Sequence, residues 1–389
     1  MSIGGKISME RIDFNTPKGW SWKKFQDVCV LKRGYDLPTQ VRSTGNFPLY
    51  SANGVTDYID QYKVHGPGVV TGRSGTIGKV HFIEGDYWPL NTALYVQKFN
   101  GNYPRFIKYF LESFDLTRFA SGAAVPTLNR NSLSAELVCV PDSLDEQKRI
   151  AEKLDALFTS IDSAIGHLQD SITLADTLLK NGLAEIFEGL KDRYEVVPLS
   201  SVVKINSGIA LPKPFKNGFS DGDIAFFKVA QMNNHHENMV KPEITFNEKV
   251  AKEYKIKLFP KGSTLIPKRG GAILTNKKRI LLEDASYDSN IMGLKADESK
   301  LSDDYLFAFM RTIHLANFVD ASTIPQVNNK HIDQMQIPLV GLAEQKDVVS
   351  RVNMLVKKVE TMNYEIQSQL NDLLALKKSI LDYAFKGEL

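Results

Sequence analysis

The sequence predicts a mixed α/β (α+β) chain written twice: a globular domain and a long α-helix, then a second globular domain and a second long helix. Three observations predict it. One helix opening, "SLDEQKRIAEKLDALFTSID" from Ser143, returns as "GLAEQKDVVSRVNMLVKKVE" from Gly341, 198 residues later in a chain of 389. The apolar residues after each opening step by four and three, the seam of a coiled coil. Ahead of each opening runs the same succession of turns, basic loops and short apolar runs. A repeat at this spacing sets the domain plan before any single residue is read. Residues 1–142 form a first globule, 143–191 a first helix, 192–340 a second globule and 341–389 a second helix.

The elements match in order. The globules open on "WKKFQDVCVLKRGYDLP" and "YEVVPLSSVVKINSGIALP", with Gly34 and Pro38 answering Gly208 and Pro212. A Gly/basic loop follows, "VVTGRSGTIGKVHFI" and then "TLIPKRGGAILTNKKRILL". A helix-like stretch comes next, "YPRFIKYFLESFDLTRFA" and "SDDYLFAFMRTIHLANFV". Then "AVPTLNRNSL" answers "TIPQVNNKHI", and both halves close on related tails, "AEIFEGL" and "LDYAFKGEL".

In the first long helix Phe158, Ile165, Ile172, Leu179 and Ile186 form one row. Leu154, Ile161, Leu168 and Ala175 form the other, which Gly182 ends. In the second, Val352, Val359, Ile366, Leu373 and Ile380 run beside Leu355, Met362, Leu376 and Tyr383. Gln369 falls where an apolar residue is due, a polar insertion of the kind that sets register. Ser143 and Glu146 have capping-box spacing at the first start. A helix of roughly 40 residues is about 60 Å long and cannot bury a single seam alone. The partner at hand is the other copy, which predicts an antiparallel coiled coil under pseudo-two-fold symmetry with the globules at opposite ends of a rod. The alternative is a helix folded back on its own globule.

At this length the chain exceeds one ordinary core and predicts two to four domains. A 43% hydrophobic and 10% aromatic content supports packed interiors. No run of eighteen apolar residues occurs, and the opening "MSIGGKISMERIDF" lacks a signal-peptide core, which predicts a soluble cytoplasmic protein. Cys29 and Cys139 have no metal-type spacing and read as reduced core residues. The net charge of +3 divides unevenly. Residues 1–142 hold 16 Lys and Arg against 12 Asp and Glu, and 192–340 hold 20 against 17. The helices hold 5 against 9 and 7 against 7. The positive excess sits in the globules, which permits a polyanionic partner.

Catalytic and metal constellations are absent from the pattern. "TGRSGTIGK" fails the P-loop spacing, since Val80 stands where Ser or Thr is needed. Pro141, Asp142, Glu146 and Lys148 mimic a nuclease motif, but Glu146 and Lys148 open a helix and Leu339 replaces Asp142 in the second copy. The pair His235 and His236 lacks further ligand spacing. No Gly-x-Ser-x-Gly elbow and no Asn-Pro-Pro-Tyr box occurs. What remains are polar clusters fit for DNA. Arg73 with Gly72 and Gly75 suits a phosphate or a guanine edge. Thr127, Asn129, Arg130 and Asn131 answer Gln326, Asn328, Asn329, Lys330 and His331 as candidate base readers. Lys268 and Arg269, with Lys277 and Lys278 in "NKKR", add phosphate-type charge.

The duplicated "DEQKRIAEKLDALF" and "AEQKDVVSRVNMLV" helices, the "TGRSGTIGKV…LNTALYV" stretch and the "AVPTLNRNSL" and "TIPQVNNKHI" segments resemble the specificity (S) subunits of type I restriction–modification systems. The resemblance spans nearly the whole chain. It implies two target recognition domains that each bind half of a bipartite double-stranded DNA site. It further implies a coiled-coil spacer, two methyltransferase (M) subunits and restriction (R) subunits as partners, and no catalysis in this chain. S-adenosylmethionine is then expected on the M subunits, which methylate adenine, and this chain needs no cofactor of its own. The resemblance extends the DNA-contact roles to Ser74, Gly75, Lys79 and Asn91. The second loop, "PKRGGAIL", departs from the first, so Arg73's role passes only loosely to Lys268 or Arg269.

The rival from another class is an interaction protein that uses the helix pair to dimerise and binds no DNA sequence. A nuclease or methyltransferase with an unrecognised site comes third. An adjacent methyltransferase reading frame separates the three.

Overall fold

The computed structural model describes residues 16–122, 126–319 and 325–389. The reading of "MSIGGKISMERIDF" falls outside them, as do the first residues of "AVPTLNRNSL" and "TIPQVNNKHI". The chain divides into two compact units, Met1–Gln169 with Gln367–Leu389, and Asp170–Ile366.

In the first unit the strands Val30–Arg33, Ala93–Lys98, Gly68–Gly72 and Val80–Ile83 form one antiparallel sheet in that order. Gly54–Ile59, Thr44–Ser51 and Trp88–Pro89 form a second, and Trp20–Lys24 pairs with Leu137–Pro141. The second unit repeats the first sheet with Val203–Ser207, Ile291–Ala296, Thr264–Pro267 and Arg279–Ile280. The pairing of Val196–Pro198 with Gln336–Pro338 repeats the entry strand. Its other sheet gains a strand, in the order Phe219–Ser220, Ile244–Phe246, Ile224–Phe227 and Ser286–Tyr287. The central strands are runs rich in β-branched residues and buried on both faces: Val69, Val70 and Thr71 in one unit, Thr264, Leu265 and Ile266 in the other.

The long helices span Leu144–Lys191 and Leu342–Ala384. Each compact unit holds the start of one and the end of the other. In the first unit Lys377 Nζ meets Asp162 at 2.7 Å, and Arg149 donates to the Leu389 carbonyl at 2.8 Å. In the second, Asn363 donates to Asp176 at 3.4 Å, and Leu355 lies so close to Gly182 that a Cβ there would stand 2.7 Å from its methyl. Partner numbers fall as residue numbers rise, so the segments pair antiparallel within each unit. The tails are anchored by aromatic rings. Phe385 packs 5.3 Å from Phe106 and 6.1 Å from Phe110, and Phe187 packs 5.7 Å from Tyr305 and 5.6 Å from Phe309.

The twin Glu-Gln-Lys openings have a structural cause in their glutamines. Gln147 and Gln345 are buried. Gln147 accepts from the Tyr103 N–H at 2.8 Å and donates to Asn102 at 2.7 Å and to the Pro141 carbonyl at 3.1 Å. Gln345 accepts from the Ser302 N–H at 2.8 Å and donates to the Lys300 and Val340 carbonyls at 2.9 and 2.8 Å. Both accepted N–H groups immediately precede a globule helix, Pro104–Ser113 or Asp303–Thr312. One side chain thus satisfies an otherwise orphaned helix-start donor and welds the long helix to its globule.

Three expectations for the helices need correction. Met362, Leu376 and Tyr383 are 42, 48 and 51% exposed and lie off the seam. The row beside Val352, Val359, Ile366, Leu373 and Ile380 passes instead through Val356, Asn363, Leu370, Lys377 and Ala384, one residue on. Leu370, Leu381 and Ala384 are buried there, and the latter two join the first globule's core, which turns the buried stripe away from Leu376. Gln369 is therefore a surface residue and not a seam insertion. At the first helix start Ser143 accepts from the Asp145 N–H at 3.2 Å, but Glu146 forks onto Arg149 at 2.7 Å, leaving a single cap where a box was expected. The remaining seam residues, Leu154, Phe158, Ile161, Ile165, Leu168, Ile172, Leu179 and Leu355, are buried or half-buried. Cys29 lies in the core, where burial pushes its thiol up to about 12, while Cys139 is half-buried; both are free thiols.

Candidate nucleic-acid interface

The Gly/basic loop and the segment before each long helix, separate in sequence, meet in each unit through the same backbone bonds. In the first unit the Arg73 N–H donates to the Thr92 carbonyl at 2.9 Å, and the Arg73 carbonyl accepts from Leu128 at 2.8 Å. The Gly75 N–H donates to Pro126 at 3.1 Å, and Ser74 bridges Thr127. In the second unit Lys268 donates to Asn290 at 2.7 Å and accepts from Val327 at 3.0 Å. Gly270 donates to Pro325 at 2.9 Å, and Arg269 bridges Gln326. Lys268 thus occupies the place of Arg73, Arg269 that of Ser74, and Gln326 that of Thr127. Gly75 and Gly270 both have positive φ, +85° and +72°, which only glycine adopts without strain.

Side chains differ where backbones agree. Arg73 Nη1 donates to the Asn91 carbonyl at 3.3 Å. Lys268 Nζ donates to Ser207 Oγ at 2.9 Å, and burial together with Arg269 holds its ammonium below the usual lysine range. Arg130 is exposed and reaches the Leu31 carbonyl at 3.4 Å. Lys79, Asn131, Asn329 and Lys330 are also exposed. Asn129 caps the short helix after it by accepting from the Asn131 N–H at 3.1 Å, and Asn328 does the same for Lys330 at 3.1 Å.

Two candidates are displaced from this surface. His331 is 4% exposed, and its Nδ1 accepts from the Asn328 N–H at 3.2 Å to close a capping box. Lys278 is 7% exposed, with Nζ on Asn276 Oδ1 at 2.8 Å and on the Ile313 carbonyl. Burial pushes Lys278 down to about 7. Lys277 is half-buried and donates to Asn233. Of "NKKR", then, Lys278 and Arg279 lie under the surface because Arg279 and Ile280 enter the sheet as an edge strand.

Sequence reasoning missed Arg33 and Asp36. Asp36 accepts from Asn91 Nδ2 and lies 3.6 Å from Arg33, both side chains at least half exposed. Their nearness to Arg73 arises from a strand crossing that no local pattern announces. Among the described residues no group of three or more His, Cys, Asp or Glu could hold a metal, and no helix is long and apolar enough to cross a membrane.

Comparison with known proteins supplies the family. The model of the type I restriction modification DNA specificity domain matches residues 17–173 and again 191–372. A putative type I restriction enzyme specificity subunit of Haemophilus influenzae is 25% identical over 384 residues, 95% of this chain and 94% of that one. The type I restriction enzyme StySPI specificity subunit of Salmonella potsdam is 24% identical, covering 96% and 90%. Among solved structures, a chain from a study of complex assembly and conformational transition in the type I R-M system aligns with TM-score 0.75 at 16% identity, covering 97% and 100%. The HsdS subunit of Thermoanaerobacter tengcongensis gives 0.53 at 17%, covering 98% and 100%. With a specificity domain in each half and relatives matched along almost their full length, the chain belongs to the DNA specificity subunits of type I restriction–modification systems.

Proposed function

We propose that each unit of this specificity subunit reads one half of a bipartite DNA site through its loop pair, and that the long helices set the spacing between the halves. The observation that carries this is the shared backbone frame with unlike side chains: Arg73, Ser74 and Thr127 against Lys268, Arg269 and Gln326. One frame with two chemistries suits two different half-sites. Bidentate Arg favours guanine, Gln favours adenine, and Thr can meet the thymine methyl. Lys79, Lys330 and Arg130 would lie on phosphates, fixing register without reading sequence. Linking two modest half-site affinities raises effective concentration and yields one strong, spacing-dependent site.

Catalysis then belongs to partners: M subunits that carry S-adenosylmethionine and methylate adenine, and R subunits that cut, all acting in the cytoplasm. Within the second unit, the exposed apolar residues Leu174, Leu178, Met354 and Tyr364 favour its stretch of the long helices as an M-subunit docking surface. Glu146 and Glu344 fit that role less well, since Arg149 and Tyr194 already hold them. The test is an insertion of four residues near Gly166, with methylated adenines mapped in cells that carry this chain and its M subunit. The expected result is a changed spacer with both half-sites intact. Unchanged spacing would overturn the ruler.

A further inference from the structure

Matching backbone bonds superimpose the two recognition surfaces residue by residue. Gly34 donates to Ala93 as Gly208 does to Ile291, and Tyr35 donates to Pro89 as Ile209 does to Tyr287. Ala93 donates to Leu90 as Ile291 does to Asp288. Arg33 therefore answers Ser207, Asp36 answers Ala210, and Asn91 answers Ser289, beside Arg73 and Lys268. Each of the four pairs has the same class of exposure in both units. The frame and its access to solvent are constant, and only the chemistry changes. The first unit offers a carboxylate among two guanidinium forks and an amide. The second offers two hydroxyls, an ammonium and a methyl.

We infer that Asp36 is a specificity-determining residue of the first unit, accepting a hydrogen bond from the exocyclic amino group of a cytosine in the major groove. This rests on the reading of the loop pair as a DNA interface. A carboxylate on a DNA-facing surface repels phosphate, a cost that a base donor offsets. The N4 amino group of cytosine is the donor that carboxylates pair with, while adenine's amino group is matched by amides. Asn91 and Arg33 preset the group: Asn91 Nδ2 donates to one oxygen and Arg33 lies 3.6 Å from the other. A carboxylate has about four acceptor positions, so acceptor capacity remains for a base. Arg73, tied to the same Asn91 through its carbonyl, stands to meet the O6 and N7 of the paired guanine. Acceptor and fork together match the edge of one C·G pair. In the second unit Ala210 removes the acceptor, and no such demand arises.

The experiment uses the complex of this chain with its M subunits and synthetic duplexes carrying the methylated motif, each half-site position replaced by all four base pairs. The unaltered complex should discriminate for C·G at one first-half position by roughly tenfold, the scale of one good base contact. In Asp36→Ala that preference should fall below about threefold while every other position keeps its own. Full retention of all preferences, or an equal loss across the first half-site, overturns the assignment. If Asp36→Ala binds no duplex, Asp36→Asn decides: it should move the preference at that position from C·G toward an adenine pair, and a C·G preference kept in full overturns the inference. A wild-type complex indifferent to every base would sink the half-site reading itself, a result distinct from any of these.

Discussion

The two recognition domains differ most in what they do with charge beneath a shared backbone. In the first, Val80 enters the sheet edge beside Thr71, an apolar residue at an apolar place. In the second, counting from the aligned strands, Lys278 stands there, buried and bonded to two oxygens. In the first, Arg105 spans Glu84 and Asp155; in the second, Arg311 spans Glu237 and Asn353. Yet both domains keep the buried glutamine, the positive-φ glycine and the aromatic tail anchor. The lesson is that backbone-satisfying groups hold the architecture, and side chains outside that duty are free to diverge into two readers.

The sharpest way to break this comparison is at the anchors. Phe187→Ala should destabilise the second unit by about 4 kcal/mol, the cost of a large-to-small change in a packed core. Phe385→Ala should cost the first unit less, since Phe385 is only half-buried. Hydrogen exchange followed unit by unit checks both, and equal losses would refute the ranking. Next come the clamps. Gln147→Leu and Gln345→Leu each strand a buried N–H, about 1–3 kcal/mol per unsatisfied group. Near-equal drops in stability are expected, and a strong difference would show that the glutamines are not equivalent.

Lys278 sharpens the contrast in pH. Its folded value of about 7 lies below the ordinary 10.5, so between them the unfolded chain binds the extra proton. Stability of the second unit should therefore rise as pH climbs from 7 toward 10, by at most about 1.4 kcal/mol per pH unit. Lys278→Val, the first domain's residue at this place, should erase the slope in denaturant titrations at a series of pH values. A slope that survives would assign it elsewhere. The smallest effect is expected at the loops. Lys79→Ala should weaken DNA binding uniformly and lower the salt slope by about 1, whereas Arg73→Ala should relax one base preference. Identical behaviour of the two in salt titrations would erase the distinction.

Much of this was legible in the sequence because repetition is visible without geometry. Leu154 to Leu179 announced a helix seam, and "AVPTLNRNSL" against "TIPQVNNKHI" announced matched sites. The second seam slipped after Leu355 because Met362, Leu376 and Tyr383 continue its apolar spacing, and only the globule packed against Leu381 and Ala384 decides between rows. Nothing local reveals that Tyr103 and Pro141 converge on Gln147. Lys278 and His331 look like any basic loop residues, and only the strand and the cap that bury them tell otherwise. Asp36 stood out by no local pattern, because Asn91, which donates to it, lies 55 residues on in a turn.

Each long helix begins in one compact unit and ends in the other, and this orders events during synthesis on the ribosome. The second unit needs nothing beyond Ile366, so it can close while the tail is still emerging. The first unit, though its globule is translated before the second, lacks Leu381, Ala384 and Phe385 until the end of the second helix appears. Domains usually fold in the order of synthesis; here a unit whose globule is made before another must wait for a segment made after it.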